Sequence, residues 1–257
     1  MSRHTGIGTL EWARRTGGRM SPGERWAMFA KAAGRRLQGQ VQRFLHSHGG
    51  GRGASLDLEQ LRPPDTDLAQ RAEELCARVS SKALHHHCLR TYVWGRALAE
   101  LDAIRFDDEL FYVASVLHDL GLTPHPQAQA ADVHCFAVAG AYAARGFMGD
   151  LGWSAERTDA LAEAICLHLN VGVPLEQGPE AYLLAASTAF DVVGARAWEL
   201  PKAALERVVA RYPRHGLKAE LTRQFREEAQ RRPDSRTAFL CGWLPFEKLV
   251  QEAPFPE

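Results

Sequence analysis

His118 and Asp119 stand side by side at the end of a largely apolar run over residues 110–117. Such a run predicts a helix packed inside the protein, so the pair that follows it is expected near the core. An imidazole and a carboxylate are costly to bury unless something binds them. Both groups are good ligands for a divalent cation. The pair therefore favours a fold in which other helices bring further ligands to the same place.

The remaining sequence also predicts helices, separated by clusters of Gly, Pro and Asp. Apolar residues recur at helical spacing, and no segment shows the alternation that is typical of a half-buried strand. We therefore predict an all-α fold with the metal site between helices in the middle of a bundle. The expected helices cover residues 22–46, 67–79, 82–102, 107–120, 130–147, 154–169, 179–198, 201–211 and 216–231.

The chain before Gly53 is basic, with ten Lys and Arg residues against Glu11 and Glu24. Together with the glycine break at residues 49–51, this predicts a mostly helical N-terminal arm over residues 1–55, followed by one domain over residues 56–257. We favour an arm that docks on the more acidic remainder. An arm that faces RNA or a membrane is the alternative.

The composition also limits the function. The net charge is zero, which argues against a dedicated nucleic-acid binder, and no segment is long and apolar enough to cross a membrane. The five cysteines are scattered without a CxxC spacing, and the first twenty residues lack a secretory signal, so a cytoplasmic protein is expected. The expected partner is a small-molecule substrate, not a nucleic acid or a membrane, and a homo-oligomer through the N-terminal helix is conceivable.

Two further helices offer metal ligands on their inner faces. His87 shares a stripe with Leu84, Thr91 and Leu98, whereas His85 and His86 diverge from it by about 100° for each residue. Asp191 lies between apolar neighbours, where a lone carboxylate needs a metal or an arginine as its partner. We predict a site of His87, His118, Asp119 and Asp191. Two imidazoles and two carboxylates suit one divalent ion with an open position for water.

Four more residues are candidates for the chemistry. His168 lies near the end of its helix on a stripe with Leu161 and Ile165. It is either an acid–base group beside the metal or a satisfied core histidine. His134, and Asn170 just after His168, are candidate substrate contacts. Arg90, one turn after His87, either binds a substrate anion or pairs with a carboxylate to orient the ligands, and we favour the second role.

These blocks resemble the HD superfamily of metal-dependent hydrolases. The order of His87, His118-Asp119 and Asp191 follows the H…HD…D pattern of that superfamily, and the resemblance extends over roughly residues 60–230. Several stretches are similar to the cyanamide hydratase-like branch. They are Pro64-Asp65-Thr66, His87-Cys88-Leu89-Arg90-Thr91-Tyr92, Leu117-His118-Asp119-Leu120-Gly121-Leu122-Thr123, Phe136-Ala137-Val138-Ala139-Gly140-Ala141, Ala164-Ile165-Cys166-Leu167-His168, Phe190-Asp191-Val192-Val193-Gly194 and Tyr212-Pro213-Arg214.

The resemblance implies an HD-domain helical bundle and a mononuclear hydratase or hydrolase that acts on cyanamide or a nitrile-like compound. Zinc is the expected ion, with iron or manganese as alternatives. Leu122 stands where several HD phosphohydrolases have an acidic residue or a lysine, and Phe136 stands near the place of an extra histidine in binuclear members. His168 or Asp119 would deliver the proton. A phosphohydrolase and a non-catalytic regulatory HD module are the alternatives.

Overall fold

The computed structural model describes residues 6–48, 62–126 and 132–257. All regular secondary structure in these ranges is helical, so the predicted all-α class is confirmed. The described α-helices are α1 (Leu10–Thr16), α2 (Pro22–His48), α3 (Asp67–Val79), α4 (Lys82–Leu101), α5 (Asp108–Leu117), α6 (Phe136–Asp150), α7 (Ala155–Leu167), α8 (Pro179–Val193), α9 (Lys202–Arg211), α10 (Leu217–Arg231), α11 (Arg236–Trp243) and α12 (Phe246–Gln251).

Side-chain caps fix where the central helices begin. The Thr66 hydroxyl accepts a hydrogen bond from the amide of Ala69 and starts α3. Ser81, Asp107 and Ser154 do the same for α4, α5 and α7. Each cap satisfies an amide that the first helical turn leaves unpaired, and removing such a cap typically costs about 1 kcal/mol.

Helix α4 forms the centre of the fold and packs against α5 and α8, while α6 packs against α7. Helix α4 is buried nearly all round between Leu84 and Ala99. A helix that is buried nearly all round is enclosed by others, so polar residues on its inner stripe face other helices and not water. This is how His87 reaches the interior.

Two predicted helix boundaries were wrong by five residues or more. Helix α6 begins at Phe136 and not at residue 130, since the amide of His134 donates to the carbonyl of Gly17 (2.7 Å) instead of joining a helix. Residues 130 and 131 of that prediction lie outside the described residues. Helix α8 ends at Val193 and not at residue 198, because Gly194 takes a left-handed φ of +69°. Helices α1, α11 and α12 were not predicted.

The described part of the N-terminal segment lies on the rest of the protein. Arg14 pairs with Asp159 (3.2 Å) and Arg25 with Asp234 (2.8 Å), and the Lys31 ammonium donates to the carbonyl of Gly172. Basic side chains thus contact acidic ones, as a docked arm requires. Farther along α2, Leu37 is 65% exposed. Among the described helices, none combines the length and apolarity needed to cross a bilayer.

Candidate metal centre

Two helices and one turn bring three metal-competent side chains together. His87 projects from the middle of α4, and His118 is the C-terminal cap of α5. The chain then forms a short 3-10 turn over Leu120–Leu122, with Asp119 at its start. All three residues are buried, with exposed fractions of 1% for His87, 1% for His118 and 5% for Asp119.

The ligand atoms of these residues converge. The Nε2 atoms of His87 and His118 are 3.3 Å apart. The Oδ2 atom of Asp119 lies 3.2 Å from Nε2 of His118 and 3.6 Å from Nε2 of His87. Within the described ranges, His87, His118 and Asp119 form a group whose ligand atoms all lie within 4.8 Å of one another. Ligands at zinc distances of about 2.0–2.2 Å from one ion are spaced in this way.

The hydrogen bonds of the rings fix their tautomers. Nδ1 of His87 faces Asp191 Oδ2 at 2.8 Å, and Nδ1 of His118 faces the carbonyl of Ser115 at 2.7 Å. Carboxylates and carbonyls only accept, so each Nδ1 carries the proton and donates it. In the neutral rings both Nε2 atoms are then bare acceptors that point at each other. A cation between them satisfies both lone pairs.

The turn after Asp119 is held by a close backbone approach. A Cβ atom on Gly121 would lie 1.9 Å from the carbonyl oxygen of Phe136. A Cβ atom on Gly140 would lie 2.9 Å from the amide nitrogen of Gly121 and 3.3 Å from the carbonyl of His118. Two glycines therefore let α6 press against the His118-Asp119 turn, which fixes the position of the Asp119 carboxylate.

The charges of the group are strongly coupled. Burial acts to raise the pKa of Asp119, but the neighbouring histidines, His118 first, outweigh it and hold that pKa far below its usual range. Burial lowers the pKa of His87, and its contacts with Asp191 only partly offset this. Burial also acts to lower the pKa of His118. The negative charge and the hydrogen bond of Asp119 outweigh burial and raise the pKa of His118 above the usual value. Without a cation, His118 is thus the preferred place for one proton.

Asp191 lies behind His87 and not beside the other two ligands. Its Oδ2 accepts from Nδ1 of His87, while Arg90 donates to Oδ1 from Nε (2.8 Å) and to Oδ2 from Nη2 (2.9 Å). Nε1 of Trp94 donates to Oδ1 at 2.8 Å. Asp191 is fully buried, and these donors hold its pKa well below the usual value, Arg90 most strongly, against the effect of burial. The carboxylate orients the imidazole, as in the carboxylate–histidine–metal arrangement of many metalloproteins.

The family comparison agrees with this arrangement. The family model of the HD domain matches residues 84–210, a range that contains His87, His118, Asp119 and Asp191. Residues 84–210 are thus similar to an HD domain. HD domains are usually metal-dependent hydrolases, and the buried His-His-Asp group indicates a divalent metal site in this one. Comparison with curated proteins gives no match.

His168 borders the metal centre. Its Nε2 lies 3.8 Å from Oδ1 of Asp119, and its ring centroid lies 5.0 Å from that of His118. Nδ1 faces the carbonyl of Ile165 at 2.6 Å, so that nitrogen carries the proton and Nε2 is an acceptor. Burial, helped by the nearby charge of His118, lowers the pKa of His168 to about 3. The ring is therefore neutral near pH 7.

The three predicted substrate contacts, Arg90, Asn170 and His134, each contact other parts of the protein. Arg90 is fully buried, and its Nη1 donates to the carbonyls of Tyr212 (2.8 Å) and Pro213 (3.2 Å), so all three of its nitrogens are used by protein acceptors. This is the orienting role favoured above. The amide of Asn170 donates to the carbonyl of Ile7 (2.6 Å) and accepts from Arg236 (3.0 Å). His134 lies against Gly17. The structure thus links Asn170 and His134 to the N-terminal segment.

Two residues of the Asp191 environment were missed at the sequence level. Trp94 falls on the same helical stripe as His87, Thr91 and Leu98, so the spacing carried a signal that an indole N–H faces the site. Arg214 is fully buried, and its Nη1 lies 3.2 Å from the carbonyl oxygen of Asp191 and 3.4 Å from Oδ2. Arg214 follows α9 in a non-helical stretch, where periodicity gives no orientation.

A surface groove between α10 and α12 lies away from the metal centre. It is lined by residues such as Thr222, Arg226 and Gln251, and none of the metal-centre residues borders it. Arg226 and Glu247 form an ion pair at this groove. Because this groove is open and borders none of the metal-centre residues, we place the chemistry at the enclosed histidine cluster instead.

Proposed function

We propose that this protein is a mononuclear metal-dependent hydratase or hydrolase that acts on a small neutral substrate with a polarised C–N group, such as cyanamide or a nitrile. The observation that carries the proposal is the convergence of bare Nε2 atoms on one carboxylate. Nε2 of His87 and of His118 meet at 3.3 Å beside Asp119, and their Nδ1 atoms are committed elsewhere.

The donor set fits a divalent ion of the zinc type. Two neutral imidazoles and one carboxylate are the ligands of many catalytic zinc sites, which keep a further position open. Iron and manganese accept the same donors. When bound, such an ion supplies Lewis acidity and lowers the pKa of a water molecule. We assign His87 Nε2, His118 Nε2 and Asp119 as the protein ligands.

Asp191 has a different proposed role. Both its oxygens already accept hydrogen bonds, from His87, Arg90 and Trp94. We therefore propose that Asp191 holds the proton on Nδ1 of His87 and increases the basicity of Nε2. The expectation that it also binds the ion directly stays a prediction.

His168 is the proposed proton acceptor. Its Nε2 is an acceptor that lies 3.8 Å from Oδ1 of Asp119, one of the assigned ligands. A neutral ring takes a proton from the attacking water and returns it to the nitrogen of the substrate. Asp119 is assigned as a ligand of the ion, so we propose His168 and not Asp119 as the group that carries the proton.

The surroundings favour a neutral substrate over a phosphate ester. Arg90 was the local candidate for a phosphate site, but its guanidinium already donates hydrogen bonds to Asp191 and to two backbone carbonyls. Phe136 is fully buried with its ring centroid 5.8 Å from that of His168, and Leu122 packs against the core. An apolar wall of this kind suits a substrate without charge.

Urea formation from cyanamide tests the proposal, with p-nitrophenyl phosphate hydrolysis measured in parallel. Zinc-loaded protein should form urea, and Asp119→Asn should abolish it with little change in volume. Asp150→Asn, at an exposed position at the end of α6, is the matched control and should stay active. Phosphatase activity without urea formation would replace the hydratase by the phosphohydrolase. Loss of neither activity in Asp119→Asn would contradict the assigned centre.

A further inference from the structure

The last residues of the chain lie behind the carboxylate that orients His87. Arg214 donates from Nη1 to the backbone carbonyl of Asp191 at 3.2 Å and faces its Oδ2 at 3.4 Å. The same guanidinium donates from Nε to Oε1 of Glu257 at 3.1 Å. A continuous path therefore runs from Glu257 through Arg214 and Asp191 to His87.

Aromatic packing adds a second path. The guanidinium carbon of Arg214 lies 5.2 Å from the ring centroid of Phe255. The Phe255 ring in turn stacks on Trp94 at 6.0 Å, with an interplanar angle of 24°. Trp94 donates to Oδ1 of Asp191. Phe255 is 3% exposed. It packs against Arg214 and Trp94, which both donate to Asp191, and so holds these two side chains in place from the outer side.

Glu257 adds a second carboxylate to the charges behind His87. Arg90 and Arg214 are both fully buried, and both face Asp191. One carboxylate cannot neutralise two guanidinium groups, and an excess positive charge behind His87 would repel a cation bound to that ring. Glu257, whose side chain is 33% exposed, supplies the second negative charge through Arg214.

The backbone around this segment is arranged to hold it. A Cβ atom on Gly194 would lie 2.3 Å from Cδ of Pro254, so only glycine allows this approach at the end of α8. The amide of Lys218 donates to Oε2 of Glu257 at 3.2 Å, and its ammonium donates to the carbonyl of Ala253 at 2.9 Å. The segment is thus packed against α8 and anchored on α10.

We propose that Glu257 and Phe255 are positioning residues of the metal centre, which tune its affinity for a divalent cation through Arg214 and Asp191. The proposal rests on the proposed metal site. Both residues act from behind His87, on the side away from His118 and Asp119. Their action is to keep Asp191 oriented and its surroundings free of excess positive charge.

The zinc affinity of each variant, measured by competition with a chromophoric chelator, tests this proposal directly. The free energy of unfolding of the metal-free protein is measured in parallel. Partners behind a metal ligand typically change affinity by about tenfold to a hundredfold, so Glu257→Gln, one residue farther out, should weaken zinc binding by about threefold to tenfold. Phe255→Leu should weaken it in the same direction. Glu252→Gln is the matched control, because Glu252 is exposed and pairs with Lys248 at 3.7 Å.

Coupling distinguishes positioning from general loosening. In an Arg214→Met background, the effect of Glu257→Gln on zinc affinity should vanish, since the path is already broken. If Arg214→Met does not fold, Glu257→Asp, which keeps the charge, should restore affinity compared with Glu257→Gln. Equal zinc affinity in wild type and Glu257→Gln would overturn this inference. A wild-type protein that binds no divalent cation would instead overturn the proposed function.

Discussion

Because α6 lies close to the His118-Asp119 turn, we predict that alanine substitutions at three glycines differ in their effect on stability. In Gly121→Ala the new Cβ would lie 1.9 Å from the carbonyl of Phe136. In Gly140→Ala it would lie 2.9 Å from the amide nitrogen of Gly121. Gly149 belongs to the same helix as Gly140, and a Cβ atom there would meet no heavy atom of the described residues within 4 Å. The three alanines should therefore differ strongly in effect.

The magnitudes follow from the contacts. Alanine in place of an unconstrained helical glycine stabilises a protein by about 0.4–1 kcal/mol, which is the expected result for Gly149→Ala. Gly140→Ala gains the same amount but overpacks two backbone segments, which costs about 1–3 kcal/mol, so a net loss of about 1–2 kcal/mol is expected. Gly121→Ala cannot be accommodated without separating α6 from the turn, and we expect a loss above about 3 kcal/mol.

Urea unfolding of the metal-free variants, followed by circular dichroism, gives these values. Zinc affinity should fall in the same order, because the turn that moves carries Asp119. The reasoning is refuted if Gly121→Ala is as stable as Gly149→Ala, or if Gly140→Ala loses stability while its zinc affinity is unchanged.

Three further changes test the electrostatics of the centre. Asp191→Asn should weaken zinc binding by about tenfold to a hundredfold and destabilise the protein by about 3–5 kcal/mol, since it leaves buried guanidinium charge without a partner; zinc titration and urea unfolding measure the two effects. Zinc affinity should fall by up to about tenfold per pH unit below the raised pKa of His118, because one proton then competes with the ion, and should level off above it; an affinity independent of pH across this range would be inconsistent with that proton. His168→Gln should lower kcat by about a hundredfold or more while the protein keeps its zinc, as steady-state kinetics and metal analysis would show; loss of the metal would make His168 a ligand instead.

The fold was predictable where the sequence is periodic. The apolar stripe of α4 placed His87 on an inner face, the apolar run of α5 placed His118 near the core, and apolar neighbours in α8 did the same for Asp191. All three are buried. His85 and His86, which leave the stripe, are only partly buried. Residues whose burial follows from helical spacing could thus be assigned from the sequence alone.

The remaining features depend on contacts between distant segments. The end of α8 follows from the packing of Pro254 on Gly194, and the start of α6 follows from the bond between His134 and Gly17. The place of Asp191 behind His87 depends on which nitrogen of the ring each neighbour reaches. Spacing along one helix specifies a face, but it does not specify the partner that occupies that face.

Anomalous X-ray scattering from zinc-soaked crystals tests the proposed metal centre most directly. We predict one strong peak for each chain, about 2.0–2.2 Å from Nε2 of His87, Nε2 of His118 and a carboxylate oxygen of Asp119. Absence of a peak at that place in crystals that hold zinc elsewhere, for example beside the neighbouring rings of His86 and His215, would contradict it.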